Sequence, residues 1–252
     1  MPAKLYVVHG SHPCATVQRA LELKGIDHKV VELMPPMHAA IQRARFGQRT
    51  VPGIKFEDGE KVVGSRAILR RLDTLVPDPP LLPADTERRA KVEDAERWGD
   101  EVLQPMARRL VWLGMRRRPA SIVSFGEHSK LPVPDVMAKL SAPMISRVEW
   151  RLNDVSEDAV RDDLAALPGH LDRVDGWIAE GVIGGEEVNA ADLQLAPTIR
   201  LMMVVGDARP LIEGRPAAEL AMRLFPQWDG DIPAGALPQP AAAPAPAAPH
   251  TA

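Results

Sequence analysis

The sequence of 252 residues contains one cysteine, one tyrosine and few aromatic side chains overall. A single cysteine excludes an internal disulfide framework, and it cannot supply the sulfur ligands of a common structural zinc site. The histidines and carboxylates near this cysteine do not have the spacing of a metal site either. We therefore expect no metal cofactor.

Strong net charge and long apolar runs are also absent. The formal net charge is −3, which favours neither nucleic acid nor an anionic membrane as a partner. No run approaches the roughly 18 to 20 apolar residues that a membrane helix needs. The opening residues MPAKLYVVHG lack the charged and apolar segments of a secretory signal, so we expect a cytoplasmic protein.

Strand and helix patterns alternate in residues 4–76, in the order βαβαββα. Asp58-Gly59 stands between two short apolar runs, which is typical of a β-hairpin. Ser65 is placed to cap the last helix of this part. The proline-rich residues 77–85 predict an extended linker.

Helical patterns replace strand patterns from residue 86 onwards. Apolar residues recur every three or four positions between Val92 and Leu113, which predicts one face of a long helix. All five tryptophans lie in this part, and we expect an all-α bundle over residues 86–228. Residues 229–252 are mainly proline and alanine, and we expect them to form a disordered tail.

This order of elements resembles the glutathione transferase superfamily, and the resemblance covers residues 4–228. It implies an α/β thioredoxin-like domain followed by an all-α domain, and a homodimer. The segments GQRTVPGIKF and VVGSRAIL are similar to glutaredoxins, which share the first domain. The resemblance further implies that the Val51-Pro52 peptide bond is cis and that the Val51 backbone faces the sulfur end of a bound thiol. NAADLQLAP resembles the family's helix cap, in which Asn189 closes onto Asp192.

The stretch HGSHPCATVQRALELKGI presents three candidate catalytic groups. By the resemblance, Ser11 lies where serine-type transferases hold the hydroxyl that hydrogen-bonds the thiolate of glutathione, thereby lowering its pKa. The alternative is that Ser11 only caps the helix. Cys14 lies at the second cysteine of the glutaredoxin pair, or is simply a buried apolar residue. His9 aligns with the catalytic tyrosine of other transferases, or binds a backbone carbonyl at the strand end.

The thiol-binding candidates follow from the same resemblance. Ser65, at a helix N-terminus, lies where the family holds the γ-glutamyl group, while Gln48 and Arg49 could bind a carboxylate of the thiol. Gly64 and Arg66 depart from the family pattern, because neither supplies a carboxylate for the γ-glutamyl ammonium, and Arg66 would repel it. The Arg-rich, Ala- and Pro-rich composition is typical of GC-rich bacteria, some of which use mycothiol. The cosubstrate is therefore expected to be glutathione or another small thiol such as mycothiol.

We expect the second substrate, a hydrophobic electrophile, to bind between the two domains. The predicted lining is the helix face with Met106, Leu110 and Leu113, together with residues 122–134. The predicted activity is thiol transfer to that electrophile. Two alternatives remain open, a non-enzymatic binding or scaffold protein with this fold, and a Cys14-dependent thiol-disulfide oxidoreductase.

Overall fold

The computed structural model describes residues 2–35, 37–131 and 133–238. Its N-terminal part contains a four-stranded mixed sheet in the order β2-β1-β3-β4. Strand β1 is parallel to β2 and antiparallel to β3, which pairs antiparallel with β4. The strands are β1 Ala3–Val7, β2 His28–Glu32, β3 Gly53–Lys55 and β4 Lys61–Val63.

Three helices complete this part and confirm the predicted order βαβαββα. They are α1 His12–Leu23, α2 His38–Phe46 and α3 Ser65–Leu75. Gly47 ends α2 with a φ of 76°, in the left-handed region that glycine adopts most readily. The prediction that Ser65 caps α3 is wrong, because Gly64 occupies the cap position with a φ of 90° and Ser65 is the first helical residue.

The linker after α3 is held by a buried lysine. The Lys24 ammonium donates to Asp73 Oδ1 at 2.6 Å and to the carbonyl oxygens of Val76 at 2.7 Å and Pro79 at 2.5 Å. The Asp73 carboxylate also accepts the backbone N–H groups of Leu81 and Leu82. Both leucines are buried, so the linker is fixed against the first domain rather than loosely extended.

The described chain from residue 86 onwards is mainly helical, which confirms the predicted fold class. Helix α8 is buried almost throughout and packs against α1, α4, α5 and α10. Asn189 and Asp192 form the expected capping box at its start. No helix in the described ranges has the length and apolar character to span a membrane. The helices are α4 Thr86–Trp98, α5 Gln104–Arg117, α6 Asp135–Leu152, α7 Glu157–Ala179, α8 Ala190–Met203, α9 Arg209–Ile212 and α10 Pro216–Leu224.

A π-helical segment, Gly99–Leu103, joins α4 to α5 without a break. The Gln104 N–H donates to the Gly99 carbonyl five residues earlier, which inserts one residue relative to α-helical spacing. At Gly99 the helix also approaches α8 closely, since an added Cβ would lie 2.8 Å from Leu195 Cδ2. The wide turn therefore accommodates one extra residue between α4 and α5.

Residues 229–238 do not belong to a disordered tail, and this part of the prediction is wrong. Ile232 is fully buried, and its backbone N–H and carbonyl pair with backbone just beyond α8. The Asp207 carboxylate accepts three successive backbone N–H groups, from Gly235 to Leu237. Buried Ile232, Ala236 and Leu237 and these bonds fix the segment. Residues 239–252 lie outside the described part of the chain.

Candidate functional site

A cavity of about 500 Å³ lies between the sheet domain and the helices. Its walls come from the turn between β1 and α1, the backbone before β3, α5, α6 and the 3₁₀ segment Pro119–Gly126 with the residues that follow it. Most of the lining surface is apolar. A cavity of this size and character is typical of a site for a small organic ligand.

Four of the sequence-predicted site residues line this cavity, namely His9, Ser11, Arg49 and Val51. The Val51-Pro52 peptide bond is cis, which confirms that expectation. The remaining candidates lie outside the lining. They are Cys14, Gln48, Pro52, Gly64 and Ser65.

Ser11 occupies the position before α1, but its hydroxyl does not cap the helix. Its backbone carbonyl accepts the N–H groups of Cys14 and Ala15, each at 3.0 Å. Ser11 lines the cavity beside the positive end of the helix dipole, and its side chain also hydrogen-bonds the Cys14 thiol. A bound thiolate placed here would meet both a hydroxyl donor and a favourable backbone field.

The Cys14 thiol is poorly suited to act as a nucleophile. It is 1% exposed and belongs to the apolar core. Burial raises the pKa of Cys14 to about 11, although hydrogen bonds with Ser11 and the Val8 backbone oppose this shift. These observations support the alternative in which Cys14 is a small buried apolar residue.

We predict that Cys14 reacts very slowly with an aromatic disulfide reagent in the folded protein. With a pKa of about 11, near pH 8 the thiolate fraction would be about two-hundredfold below that of an exposed cysteine with a pKa of about 8.5. Measuring thiol release by absorbance, with and without urea, tests this, because Cys14 is the single cysteine. Equal rates in both conditions would contradict the assignment.

His9 lies between two carboxylates at the edge of the cavity. Its Nε2 donates to Asp229 Oδ2 at 2.8 Å, and its Nδ1 is 3.7 Å from Glu32 Oε1. The interpretation of His9 as a strand-end histidine bound to a backbone carbonyl is therefore wrong. Glu32, the last residue of β2, also accepts bonds from the Ser129 hydroxyl and the Lys130 N–H, so this carboxylate connects the sheet to the segment that follows Gly126.

Asp229 links the C-terminal segment, residues 229–238, to the edge of the cavity at His9. It accepts hydrogen bonds from His9 and from both the backbone N–H and the ring of His128. Burial acts to raise the pKa of Asp229, but these bonds outweigh it and lower that pKa below 3.8. The bond to Asp229, with its charge, raises the pKa of His128 above 6.5.

We predict that the pKa of His128 is raised above its ordinary value in the folded protein and falls back in Asp229→Asn, because Asp229 is the main cause of the shift. A raised histidine pKa gives stabilisation that is present below pH 6.5 and is lost as the pH rises through the folded pKa. The lowered pKa of Asp229 gives stabilisation that is lost as the pH falls below 3.8.

A histidine NMR titration measures the shift in the pKa of His128. Glu127→Gln serves as the control, because its charge is the weakest contributor, and a His128 pKa unchanged in Asp229→Asn would contradict the pairing.

Ser65 faces the helical domain rather than the cavity. Its hydroxyl donates to Gln194 Oε1 at 3.3 Å, and Gln194 Nε2 donates to Asp100 Oδ1 at 3.2 Å. Arg66 Nε donates to Glu96 Oε2 at 3.3 Å, so the guanidinium that we expected to repel an ammonium group already has a counter-ion.

The cavity-lining face of α5 differs from the predicted one. Met106, Leu110 and Leu113 are buried in the core of the protein instead, because the most apolar face of the helix packs inward. The lining residues of this helix are Arg108, Val111, Trp112 and Met115. The expectation for residues 122–134 is confirmed by the lining residues Ile122, Val123, Phe125, Gly126, Ser129, Leu131 and Val133.

His12 and Arg108 were not identified as site residues from the sequence. His12 is 2% exposed and lines the cavity. Burial, reinforced by the positive charge of Arg108, holds the pKa of His12 well below 6.5, although a hydrogen bond with Gln104 opposes the shift. The one available signal was the position of His12 beside Ser11 at the start of a helix.

Comparisons with known proteins agree with this architecture. Residues 5–80 match the family described as "Glutathione S-transferase, N-terminal domain". A maleylacetoacetate isomerase from Pseudomonas aeruginosa is 32% identical over 97 residues, a match that spans 35% of this chain and 44% of that relative. The sequence match thus covers less than half of the relative's length.

Solved structures with the same fold include a beta-etherase from Sphingobium sp. strain SYK-6. It has a TM-score of 0.60 and 18% identity, covering 90% of this chain and 99% of that one. A maleylacetoacetate isomerase from Anaeromyxobacter dehalogenans 2CP-1, with bound dicarboxyethyl glutathione and citrate, has a TM-score of 0.54 and 19% identity, covering 88% and 89%. The N-terminal part of this chain belongs to the glutathione S-transferase N-terminal domain family, and the described chain has the glutathione transferase fold, with a thioredoxin-like first domain.

Proposed function

We propose that this protein is a thiol-dependent transferase in which Ser11 activates a small thiol for attack on an electrophile. The observation that carries the proposal is that Ser11 lines the cavity while its hydroxyl, which bonds the Cys14 thiol, does not cap α1. A serine that served only as a helix cap would hold its hydroxyl on the backbone N–H groups of the first turn.

The chemistry follows from this placement. The Ser11 hydroxyl donates a hydrogen bond to the thiolate, and the α1 N-terminus adds a positive field, so the thiolate forms at lower pH. The thiol proton passes to water. The thiolate sulfur then bonds to the electrophilic carbon, and a leaving group departs with its electron pair. Val51 and Arg49, which also line the cavity, are the proposed contacts for the rest of the thiol.

Glutathione is the first candidate for the thiol. One relative of this fold is named with a bound glutathione derivative, and the sequence match includes a maleylacetoacetate isomerase. Mycothiol remains the second candidate on grounds of composition. We also propose a homodimer, which light scattering coupled to gel filtration would test.

A non-enzymatic binding protein is the competing proposal. The observation that favours it is the Ser65 hydroxyl, which is bonded to Gln194 and does not line the cavity. Gly64 likewise offers no side chain to a ligand. A protein of this kind would retain the cavity but would not bind a thiol.

Calorimetric titration with glutathione and with mycothiol distinguishes the two proposals. Saturable binding of either thiol, together with catalysed conjugation to a nitroaromatic electrophile, is the result expected for the transferase. The Ser65→Ala variant shows whether that hydroxyl contributes to thiol affinity. If neither thiol binds at millimolar concentration, the transferase proposal is overturned.

A further inference from the structure

Arg108 lies in the cavity wall without an acidic partner. Its Nη1 donates to the amide oxygen of Gln104 at 3.3 Å, and among the described residues it forms no ion pair. The next residue behaves differently, because Arg109 pairs with both carboxylate oxygens of Asp163, each at 2.7 Å. The two arginines thus have different roles, one structural and one facing the cavity.

The Arg108 guanidinium is largely removed from water, so its lack of a counter-ion matters. Loss of water lowers the pKa of the Arg108 guanidinium, and the charge of Asp100 opposes this only in part, from beyond ion-pair distance. A desolvated cation without a counter-ion is unfavourable in a folded protein. When such a group lines an open cavity, an anionic ligand is the natural partner.

His12 adds a second polar group on the same side of the cavity. Its Nε2 is buried and forms no hydrogen bond of good geometry among the described residues, although the Gln104 side chain lies near enough to influence the pKa of the ring. An unsatisfied buried polar atom is unfavourable, and a small rotation of the ring toward the cavity, which His12 lines, would let Nε2 bond a ligand oxygen. With its pKa held well below 6.5, the ring is neutral at physiological pH and can donate one N–H.

We propose that the second substrate carries a carboxylate, which Arg108 of α5 and His12 of α1 bind in the cavity wall. The remaining α5 lining, with Val111, Trp112 and Met115, would contact its apolar part. The acidic groups that line the cavity, Asp135 and Glu149, belong to α6, and neither contributes to the pKa shift of Arg108. That this ligand is the electrophile rests on the proposed function, whereas the binding of an anion at Arg108 does not depend on it.

The test uses a matched pair of electrophiles, a chlorodinitrobenzoate and its methyl ester. In both, the thiolate forms the carbon–sulfur bond, chloride leaves, and product absorbance reports the rate. We expect kcat/KM with glutathione to favour the carboxylate, and we expect Arg108→Gln to lower the acid-to-ester ratio of kcat/KM at least tenfold. Arg108→Lys, which keeps the charge, should retain part of the preference.

Arg116→Gln is the control, because Arg116 lies two turns further along α5, stacks on Trp150 and does not line the cavity. It should leave the acid-to-ester ratio unchanged. The inference is overturned if Arg108→Gln, folded as judged by its melting temperature, keeps the wild-type ratio. It is also overturned if Arg49→Gln, rather than Arg108→Gln, removes the preference.

A binding measurement separates this inference from the proposed function. Dinitrobenzoate, which has no chloride to displace, is titrated by calorimetry without any thiol, with dinitrobenzamide as the neutral comparison. Saturable binding of the acid that Arg108→Gln weakens tenfold supports the carboxylate site even if no thiol is used. Equal affinity for acid and amide overturns it, even if the ester is conjugated normally.

Discussion

Replacing Ser11 with alanine is expected to lower kcat/KM for thiol conjugation about ten- to hundredfold at neutral pH. A hydrogen bond to a charged group contributes about 1.5–3 kcal/mol, and each unit of pKa corresponds to about 1.36 kcal/mol. Loss of the hydroxyl should therefore raise the pKa of the bound thiol by about one to two units. The thiolate's ultraviolet absorbance, followed against pH in the complex, measures that pKa directly.

The stability of Ser11→Ala should change little, because the hydroxyl makes no capping bond to α1. Loss of a functional helix cap would cost about 1 kcal/mol, so a thermal melt separates the two roles of this residue. Ser11→Thr keeps a hydroxyl and serves as the matched control. If Ser11→Ala retains the wild-type thiol pKa, Ser11 is not the activating group.

Asp73→Asn is expected to have the largest effect on stability, a loss of about 3–5 kcal/mol in the free energy of unfolding. The Lys24 side chain is fully buried, and Asp73 is the one carboxylate bonded to it among the described residues. Asparagine keeps the size of the side chain but removes the charge, which leaves a buried ammonium group with carbonyl oxygens alone.

Urea unfolding measures this loss, and Asp27→Asn, at an exposed aspartate, is the control. The double variant Lys24→Met with Asp73→Asn should be more stable than Asp73→Asn alone, because it removes the unpaired charge. A loss below about 1 kcal/mol in Asp73→Asn would mean that the buried pair contributes no more than an exposed one.

The first domain was largely predictable from the sequence because its signals are local. Helices α2 and α3 lie where the order βαβαββα predicts them, since apolar spacing and flanking glycines act within a few positions. The hairpin at Asp58-Gly59 likewise depends on two adjacent residues. The cap of α3 was misassigned to Ser65, because Gly64 and Ser65 are both acceptable caps and backbone geometry decides between them.

The site was less predictable because its polar groups depend on contacts between distant elements. Ser65 meets Gln194, and Lys24 meets Asp73, across separations that no local pattern records. Whether Arg108 has a counter-ion depends on every chain segment around it. Residues 229–238 were misread for a related reason, because composition averages over a segment in which a few side chains, chiefly Ile232 and Leu237, provide the buried anchor.

The π-helical segment Gly99–Leu103 lets the chain change its length between α4 and α5 without moving the cavity lining. A π-helical turn holds one residue more than an α-helical turn over about the same rotation. Deleting one residue from this segment would therefore give one continuous α-helix with Arg108, Trp112 and Met115 still at the cavity. The same deletion in the middle of α5 would instead turn the residues beyond it by about 100°, so a lost codon is tolerated in one place and not in the other.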